Sequence, residues 1–489
     1  MSLDPDTCYR IISARDARFD GRFFTAVTTT GIYCRPVCPA RVPDRKNVKF
    51  YASAFAAQEQ GFRPCLRCRP ETAPHTPAWR GTSTTIGRAL RLIEEGALDS
   101  GSVERLANRL GIGERQLRRL FLKHVGASPS GVAQTRRLLL AKQLLHESSM
   151  PITQLALASG FASVRRFNEA FQALFGRPPT ALRREFGQST LIDPQAPIVL
   201  KLRFRAPYDW DAIAGFMADR LYQGVEQFEA GTYRRSFVLD DQVGSLGVSK
   251  GTGDWLRVEV NCRDLKILPL LIARVRASFD LGADPEAIDT HLRQDPALRP
   301  LVEARPGLRV AGAFDRFEVG VRAILGQQIT VKAAVGFGAK LVAALGKELP
   351  DDLRCMSGLT SLFPTAASIV AADLSFLGVP TSRLVCLKAF CQAYLDDPEL
   401  LNGVPDAVIG RLVAIKGIGP WTATYIALRA LGDPDAFPYG DVALKRGLVG
   451  LGIHCPDQEA LKARSELWGP WRAYAAQHFW TSLVGQTAA

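Results

Sequence analysis

Apolar residues recur at helical spacing through much of the chain, most informatively between residues 412 and 441. Apolar side chains at helical intervals lie on both sides of a Gly417-Ile418-Gly419-Pro420 turn: Leu412, Ile415 and Ile418, then Ala423, Ile426, Ala427 and Ala430. This spacing predicts two helices around a tight hairpin. The glycines leave the turn's amides open to a phosphate, and the second helix directs its positive dipole end there. With Lys416 beside them, Gly417 and Gly419 are expected to hold a nucleic-acid backbone without reading bases.

Two further helix pairs, each joined by a glycine turn, are predicted between residues 80 and 187. The first turn is Gly111-Ile112-Gly113, and the helix after it places Leu117, Leu120 and Phe121 inside and Arg115, Arg118 and Arg119 outside. The second turn is Gly160-Phe161-Ala162, and its following helix, 164–175, exposes Arg165, Arg166 and Asn168. Ser128-Pro129 predicts the N-terminus of a linking helix that runs through Leu145. Both pairs are typical of helix-turn-helix units, whose second helix enters a major groove.

Alternating apolar and polar positions predict strands between residues 195 and 305. The segments IVLKLRFRAP and DWLRVEVN alternate cleanly, and YRRSFVLDD does so less clearly. Helices are expected around Trp210–Leu221 and Leu265–Phe279. No residue in this α+β region indicates chemistry, so we interpret it as a packing partner.

The charge is unevenly distributed. The 489-residue chain carries a net charge of +13, and residues 1–190 hold 29 Lys and Arg against 15 Asp and Glu. The basic excess therefore lies in the first part, which favours nucleic-acid binding there. The length predicts three or four domains. No apolar run is long enough to span a membrane and no signal peptide is evident, so we expect a cytoplasmic protein.

Four of the ten cysteines form two close pairs. Cys34 and Cys38 are followed by Cys65 and Cys68, with C-x3-C and C-x2-C spacing. In a cytoplasmic protein such pairs predict one tetrahedral zinc ion rather than disulfides. The surrounding sequence, FFTAVTTTGIYCRPVCPARVPDRKNVKFYASAFAAQEQGFRPCLRCRP, closely resembles the N-terminal domain of the Ada family.

The Ada resemblance implies that Cys34 is both a zinc ligand and the acceptor of a methyl group from methyl phosphotriesters in DNA. Zinc holds sulfur as a thiolate, which is the nucleophilic form. Thr30, Arg41 and Arg63 match family DNA contacts, whereas Pro39 replaces a further arginine. The alternative is a purely structural zinc knuckle. The helix-turn-helix units, with FNEAFQALFGRPPTALRR, resemble the AraC family, which implies transcriptional activation with RNA polymerase as a partner.

The hairpin resembles the helix-hairpin-helix glycosylases of base-excision repair, and within them the AlkA group. Trp421 and Asp441 keep the family's twenty-residue interval between the GPWTA tryptophan and the catalytic aspartate. The resemblance implies that Trp421, Tyr425 and Trp480 form the pocket for the flipped base. The residue that fills the gap in the DNA is Gln328 by position, with Ile329 as the alternative.

Two absences narrow the glycosylase class. Lyase relatives have a lysine where Trp421 stands, so we expect base removal without strand cleavage. Only Cys455 follows Asp441, so no four-cysteine iron–sulfur cluster is expected. Val442 stands where the AlkA group has an aromatic residue, which affects the expected substrate range.

The sequence therefore predicts a multidomain, mainly α-helical protein that repairs alkylated double-stranded DNA. The predicted domains are a small zinc-bound α/β module (1–75), an AraC-type double helix-turn-helix (80–187), an α+β domain similar to the AlkA N-terminal domain (195–305) and an all-α helix-hairpin-helix glycosylase domain (306–489). The glycosylase needs no cofactor. The alternative is a transcription factor that uses the zinc and glycosylase folds only to hold DNA. Asp433 and Asp435 are the next candidates if Asp441 is not catalytic.

Overall fold

The fold was analysed in a computed structural model that describes most of the chain. The described residues are 4–16, 19–20, 23–51, 53–65, 67–68, 70, 84–99, 101–147, 150–185, 198–354, 358–403, 405–452 and 457–483. Most of the predicted linker, residues 71–83, lies outside them, as does Cys455. The chain forms two compact units. One comprises Met1–Arg205, Gly251–Ala273 and Leu281–Ala283, and the other Ala206–Lys250, Arg274–Asp280 and Asp284–Ala489.

The N-terminal module is a small four-stranded sheet with two helices. Its elements are α1 (Pro5–Ala14), β1 (Phe24–Val27), β2 (Ile32–Cys34), β3 (Val48–Tyr51), α2 (Ala54–Glu59) and β4 (Arg63–Pro64), with strand order β3-β1-β2-β4. Strands β2 and β4 run parallel, with Tyr33 beside Pro64. That register brings the residues after each strand's pairing, Cys34 and Cys65, to the same end of the sheet.

A helical region of the same unit follows. It comprises α3 (Thr84–Glu94), α4 (Val103–Arg109), α5 (Glu114–His124), α6 (Pro129–Glu147), α7 (Ile152–Ala158), α8 (Val164–Phe175) and α9 (Pro179–Glu185). The turns between α4 and α5 and between α7 and α8 place Gly111 and Gly160 at positive φ, of 71° and 86°. Glycine adopts this backbone conformation without strain, which explains the turns that the sequence predicted. Leu117 and Phe121 are fully buried on the inner face of α5.

The next region mixes strands and helices. Its elements are β5 (Ile198–Arg203), α10 (Trp210–Ala218), β6 (Glu226–Glu229), β7 (Thr232–Leu239), β8 (Gln242–Lys250), β9 (Trp255–Cys262), α11 (Leu268–Ser278), α12 (Pro285–Leu292) and α13 (Arg299–Ala304). Within the first unit β5 pairs antiparallel with β9, and within the second β6, β7 and β8 form an antiparallel meander. The sequence reading missed β8, because residues 244–248 are all buried and the strand does not alternate.

The C-terminal region is almost entirely helical. It contains α14 (Arg316–Leu325), α15 (Val331–Leu345), α16 (Ala366–Ala371), α17 (Thr381–Asp396), α18 (Pro405–Val413), α19 (Pro420–Ala430), α20 (Val442–Gly450), α21 (Gln458–Ser465) and α22 (Arg472–Ser482). Helix α14 lies at the centre of its core, where Phe317 stacks on Phe390 with ring centroids 5.7 Å apart. Helix α18 ends at Val413, so Ile415, expected within that helix, lies in the hairpin.

The predicted fold class, mainly α-helical with a small zinc-type module and an α+β region, is confirmed. Trp468 and Trp471 are buried. Among the described residues, no helix is both long and apolar enough to cross a bilayer.

Candidate active site

Asp441 is the N-cap of α20 and accepts three hydrogen bonds. Its Oδ1 accepts from the backbone amide of Leu444 at 2.8 Å and from Trp480 Nε1 at 3.1 Å. Its Oδ2 accepts from Trp421 Nε1 at 3.0 Å. The positive end of the helix dipole also favours a carboxylate here. The side chain is therefore held in one orientation while remaining partly accessible to solvent.

The aromatic residues predicted from sequence lie together beside this carboxylate. Trp421 and Tyr425, one turn apart on α19, stack with centroids 5.5 Å apart and ring planes at 14°. Trp480, on α22, meets Tyr425 edge-on at 6.4 Å. All three are partly exposed. The arrangement forms aromatic walls with Asp441 at their edge.

Two residues that the sequence reading did not identify adjoin the aromatic group. Arg429 Nη1 donates to the Tyr425 hydroxyl at 3.2 Å, and its guanidinium lies 4.5 Å from the Phe216 ring centroid. Arg429 follows Tyr425 by one helical turn, which was a usable signal. Phe216 is more than 200 residues distant in the chain, so no local pattern indicated it.

The hairpin between α18 and α19 presents its backbone to solvent. Gly417 has φ +93°, and a Cβ there would lie 2.7 Å from Cys386 Cβ, so the position requires glycine. Lys416, Gly417 and Gly419 are exposed. Gln327 Nε2 donates to the Gly417 carbonyl and to Thr422 Oγ1, each at 3.1 Å, and so connects the loop after α14 to the hairpin.

The two candidates for the residue that fills the gap in the DNA, Gln328 and Ile329, differ in their environment. Gln328 is exposed and has a φ of 54°, a left-handed conformation that is uncommon for a residue with a side chain. Ile329 is half-buried. Of these two residues, Gln328 is therefore the more exposed.

The four paired cysteines converge at one place in the N-terminal module. Their Sγ atoms all lie within 4.8 Å of one another, and Cys38 and Cys65 Sγ are 4.0 Å apart. Tetrahedral zinc with Zn–S bonds of about 2.3 Å requires sulfurs about 3.8 Å apart, so the donor set fits the metal. The Arg35 amide donates to Cys68 Sγ at 3.3 Å, and its guanidinium pairs with Asp20. Cys34 and Cys38 are partly exposed, whereas Cys65 and Cys68 are buried.

The predicted DNA-contact residues of the first unit are all exposed: Thr30, Arg41, Arg63, Arg118, Arg165 and Arg166. Arg118 pairs with Glu114, and Arg165 pairs with Glu169, each one turn away on its own helix. Arg63 Nη1 lies 3.0 Å from where a Cβ of Gly176 would be, beside the C-terminus of α8. Arg63 therefore adjoins the second predicted recognition helix.

Comparison with known proteins identifies four matched regions. They are the metal binding domain of Ada (7–71), a helix-turn-helix domain (106–185), the AlkA N-terminal domain (199–315) and the HhH-GPD superfamily of base excision DNA repair proteins (321–473). The "Probable bifunctional transcriptional activator/DNA repair enzyme AlkA" of Mycobacterium tuberculosis is 40% identical over 489 residues, which cover 99% of this chain and 97% of the relative. The chain belongs to this AlkA family of bifunctional proteins.

Other known proteins match parts of this chain. The DNA-3-methyladenine glycosylase 2 of Escherichia coli is 32% identical and covers 57% of this chain and 95% of its own. The bifunctional Ada protein of E. coli is 38% identical over 32% of this chain and 43% of its own. A solved 3-methyladenine DNA-glycosylase from Archaeoglobus fulgidus superposes with a TM-score of 0.52 at 21% identity, covering 59% of this chain and 99% of that structure, which shows a shared fold. The metal binding domain and the cysteine cluster together indicate one bound Zn²⁺.

Proposed function

We propose that the protein repairs alkylated DNA, as a monofunctional glycosylase that releases alkylated bases such as 3-methyladenine and as a methyl acceptor that regulates transcription. The observation that carries the glycosylase assignment is the carboxylate of Asp441. It is fixed by the indole N–H groups of Trp421 and Trp480, which also form the aromatic walls beside it.

Base release follows from this arrangement. Alkylation at a ring nitrogen leaves the base positively charged, and such a base, once flipped from the duplex, is attracted to the faces of Trp421 and Tyr425. The same charge makes the base a good leaving group, so little help from a general acid is needed. Asp441 then stabilises the positive charge that develops on the sugar and orients the attacking water. Trp421 cannot form a Schiff base, so the strand stays uncut.

The DNA is held by groups that do not take part in the chemistry. The exposed amides of Gly417 and Gly419 and the ammonium of Lys416 suit a phosphate at the start of α19. Gln328 is proposed to fill the space left by the flipped nucleotide. Its exposure and its left-handed backbone support this choice over half-buried Ile329.

The test is release of bases from methylated duplex DNA, with each product identified by chromatography. Free 3-methyladenine without strand cleavage is the expected result. If the purified protein bound DNA but released no base, the alternative of a transcription factor that only holds DNA would replace the glycosylase proposal.

The assignment of Cys34 as the methyl acceptor is supported by the solvent exposure of this residue. Cys34 and Cys38 are partly exposed, whereas burial removes Cys65 and Cys68 from contact with DNA. Bound zinc would hold the sulfurs as thiolates at neutral pH. Cys34 Sγ would attack the methyl carbon, a C–S bond forms as the C–O bond breaks, and the phosphate keeps the electron pair. Peptide mapping after incubation with a duplex containing one methyl phosphotriester should find the methyl group on Cys34; a methyl group on Cys38 would contradict the assignment.

The regulatory role is proposed for the helix-turn-helix region. Arg118 on α5 and Arg165 and Arg166 on α8 are exposed, as major-groove contacts require. As a transcriptional activator the protein would act with RNA polymerase, in the cytoplasm and associated with the nucleoid. Footprinting on the promoter of its own gene, with and without polymerase, tests this role.

A further inference from the structure

A lysine of the helix-turn-helix region lies against the cysteine cluster. Lys142, on α6, is fully buried, and its Nζ donates to the backbone carbonyl of Cys65 at 3.1 Å. Helix α6 is the linking helix between the two helix-turn-helix units. The ammonium group of Lys142, which is strongly hydrated in water, therefore connects this helix directly to a cysteine of the metal cluster.

Neighbouring contacts show that the N-terminal module packs closely on this region. Ser53 Oγ donates to the Val125 carbonyl at 3.1 Å, in a buried position. A Cβ at Gly126 would lie 3.0 Å from Ala56 Cβ, so α2 approaches the segment before α6 closely. Lys142 thus lies in a packed interface between the two regions and not in an open cleft.

The burial of an ammonium group is unfavourable unless nearby negative charge compensates it. Zinc with four thiolates has a formal charge of −2 and provides that compensation next to Cys65. Arg35, another cation beside the cluster, forms a salt bridge with Asp20. The Lys142 ammonium lies beside the cluster on the side of α6, at the backbone carbonyl of Cys65.

We propose that Lys142 is the counter-ion of the zinc–thiolate cluster and transmits its methylation state to helix α6. This inference rests on the proposed transfer of a methyl group to Cys34. The transfer converts one thiolate to a neutral thioether, so the cluster charge falls from −2 to −1 and the displaced electron pair stays on the DNA phosphate. The electrostatic attraction between Lys142 and the cluster is then halved, since it scales with the product of charges. The contact that fixes the module on α6 weakens, and the linking helix between the two recognition helices becomes freer to adjust to DNA.

The first measurement uses the zinc-loaded full-length protein and needs no substitution. Hydrogen exchange of the α6 amides is compared before and after reaction with a duplex containing one methyl phosphotriester, followed by removal of the DNA at high salt. Exchange around Lys142 should become at least about fivefold faster after methylation, because local opening is easier. Unchanged exchange in protein whose Cys34 carries the methyl group would overturn the proposal.

The second measurement removes the charge by introducing an unbranched side chain that is one atom shorter. Lys142→Met should release zinc to a chelator about tenfold faster, because removal of one partner leaves the other charge uncompensated. Lys142→Arg keeps the charge, and Lys123→Met removes an exposed lysine of α5 as the matched control; both should release zinc at close to the wild-type rate. Equal zinc release by Lys142→Met and Lys123→Met would refute the counter-ion role. Zinc release does not involve methyl transfer, so it separates failure of this inference from failure of Cys34 as the acceptor.

Discussion

Replacement of Asp441 by asparagine separates charge from shape at the proposed catalytic position. The carboxylate accepts three hydrogen bonds, from Leu444 N, Trp480 Nε1 and Trp421 Nε1. Asparagine keeps the volume and one acceptor oxygen, so it can still cap α20 and accept from one indole. Its NH₂ group must then face the other indole N–H, which is also a donor. The substitution therefore removes the negative charge and one hydrogen bond together.

The expected loss of activity follows from the charge. A full positive charge about 4 Å from a carboxylate is stabilised by roughly 4 kcal/mol at an effective dielectric constant near 20. Since about 1.4 kcal/mol corresponds to a tenfold change in rate, the single-turnover rate of base release should fall about a thousandfold. The lost hydrogen bond costs about 1–3 kcal/mol of stability, offset by removal of a partly buried carboxylate. The fold should therefore survive.

The assay measures single-turnover release of 3-methyladenine from methylated duplex DNA, together with thermal unfolding and affinity for a duplex containing an abasic-site analogue. Asp441→Asn should lose release and retain affinity, because Lys416 and the hairpin amides do not depend on position 441. Asp435→Asn is the matched control, since Asp435 lies on the same loop and pairs with Arg472 at 2.7 Å. Release by Asp441→Asn within about tenfold of wild type would refute the electrostatic reasoning. An inactive, folded Asp435→Asn would then transfer the catalytic role to that residue.

Three further predictions concern other parts of the protein. Trp480→Phe and Trp421→Phe keep an aromatic face but lose the N–H donor to Asp441, so each should lower the single-turnover rate of base release about tenfold. A wild-type rate in both variants would show that the indoles act only by stacking. Cys68→Ser should abolish stoichiometric zinc binding and unfold the N-terminal module while base release persists; a metal-free protein with a protease-resistant module would contradict this. Burial lowers the pKa of His478 to about 4, from an ordinary 6.5. The unfolded state therefore takes up a proton first as the pH falls, so up to about 3 kcal/mol of stability present above pH 6.5 should be lost by pH 4, and denaturant titrations of His478→Gln should show a flatter pH dependence.

The sequence alone determined the parts of this protein that depend on local patterns. The helix pairs, their glycine turns and the two cysteine pairs are each encoded within a few dozen residues. Helix α8 was predicted with the bounds that the structure shows, because Phe167, Phe171 and Phe175 recur on one face. The fold class, the zinc ion and the membership of a DNA-repair family followed from such segments and their resemblances.

Tertiary structure decided which distant groups meet. The sequence interval linked Trp421 to Asp441, but only the packing of α22 brings the Trp480 N–H to the same carboxylate, 39 residues away. Strand β8 was missed because burial on both faces removes the alternation that identifies a strand. Only the packing of the N-terminal module on α6 buries Lys142 against the Cys65 carbonyl. Local periodicity records which face of an element is buried, whereas the partner of that face is set by contacts between segments far apart in the chain.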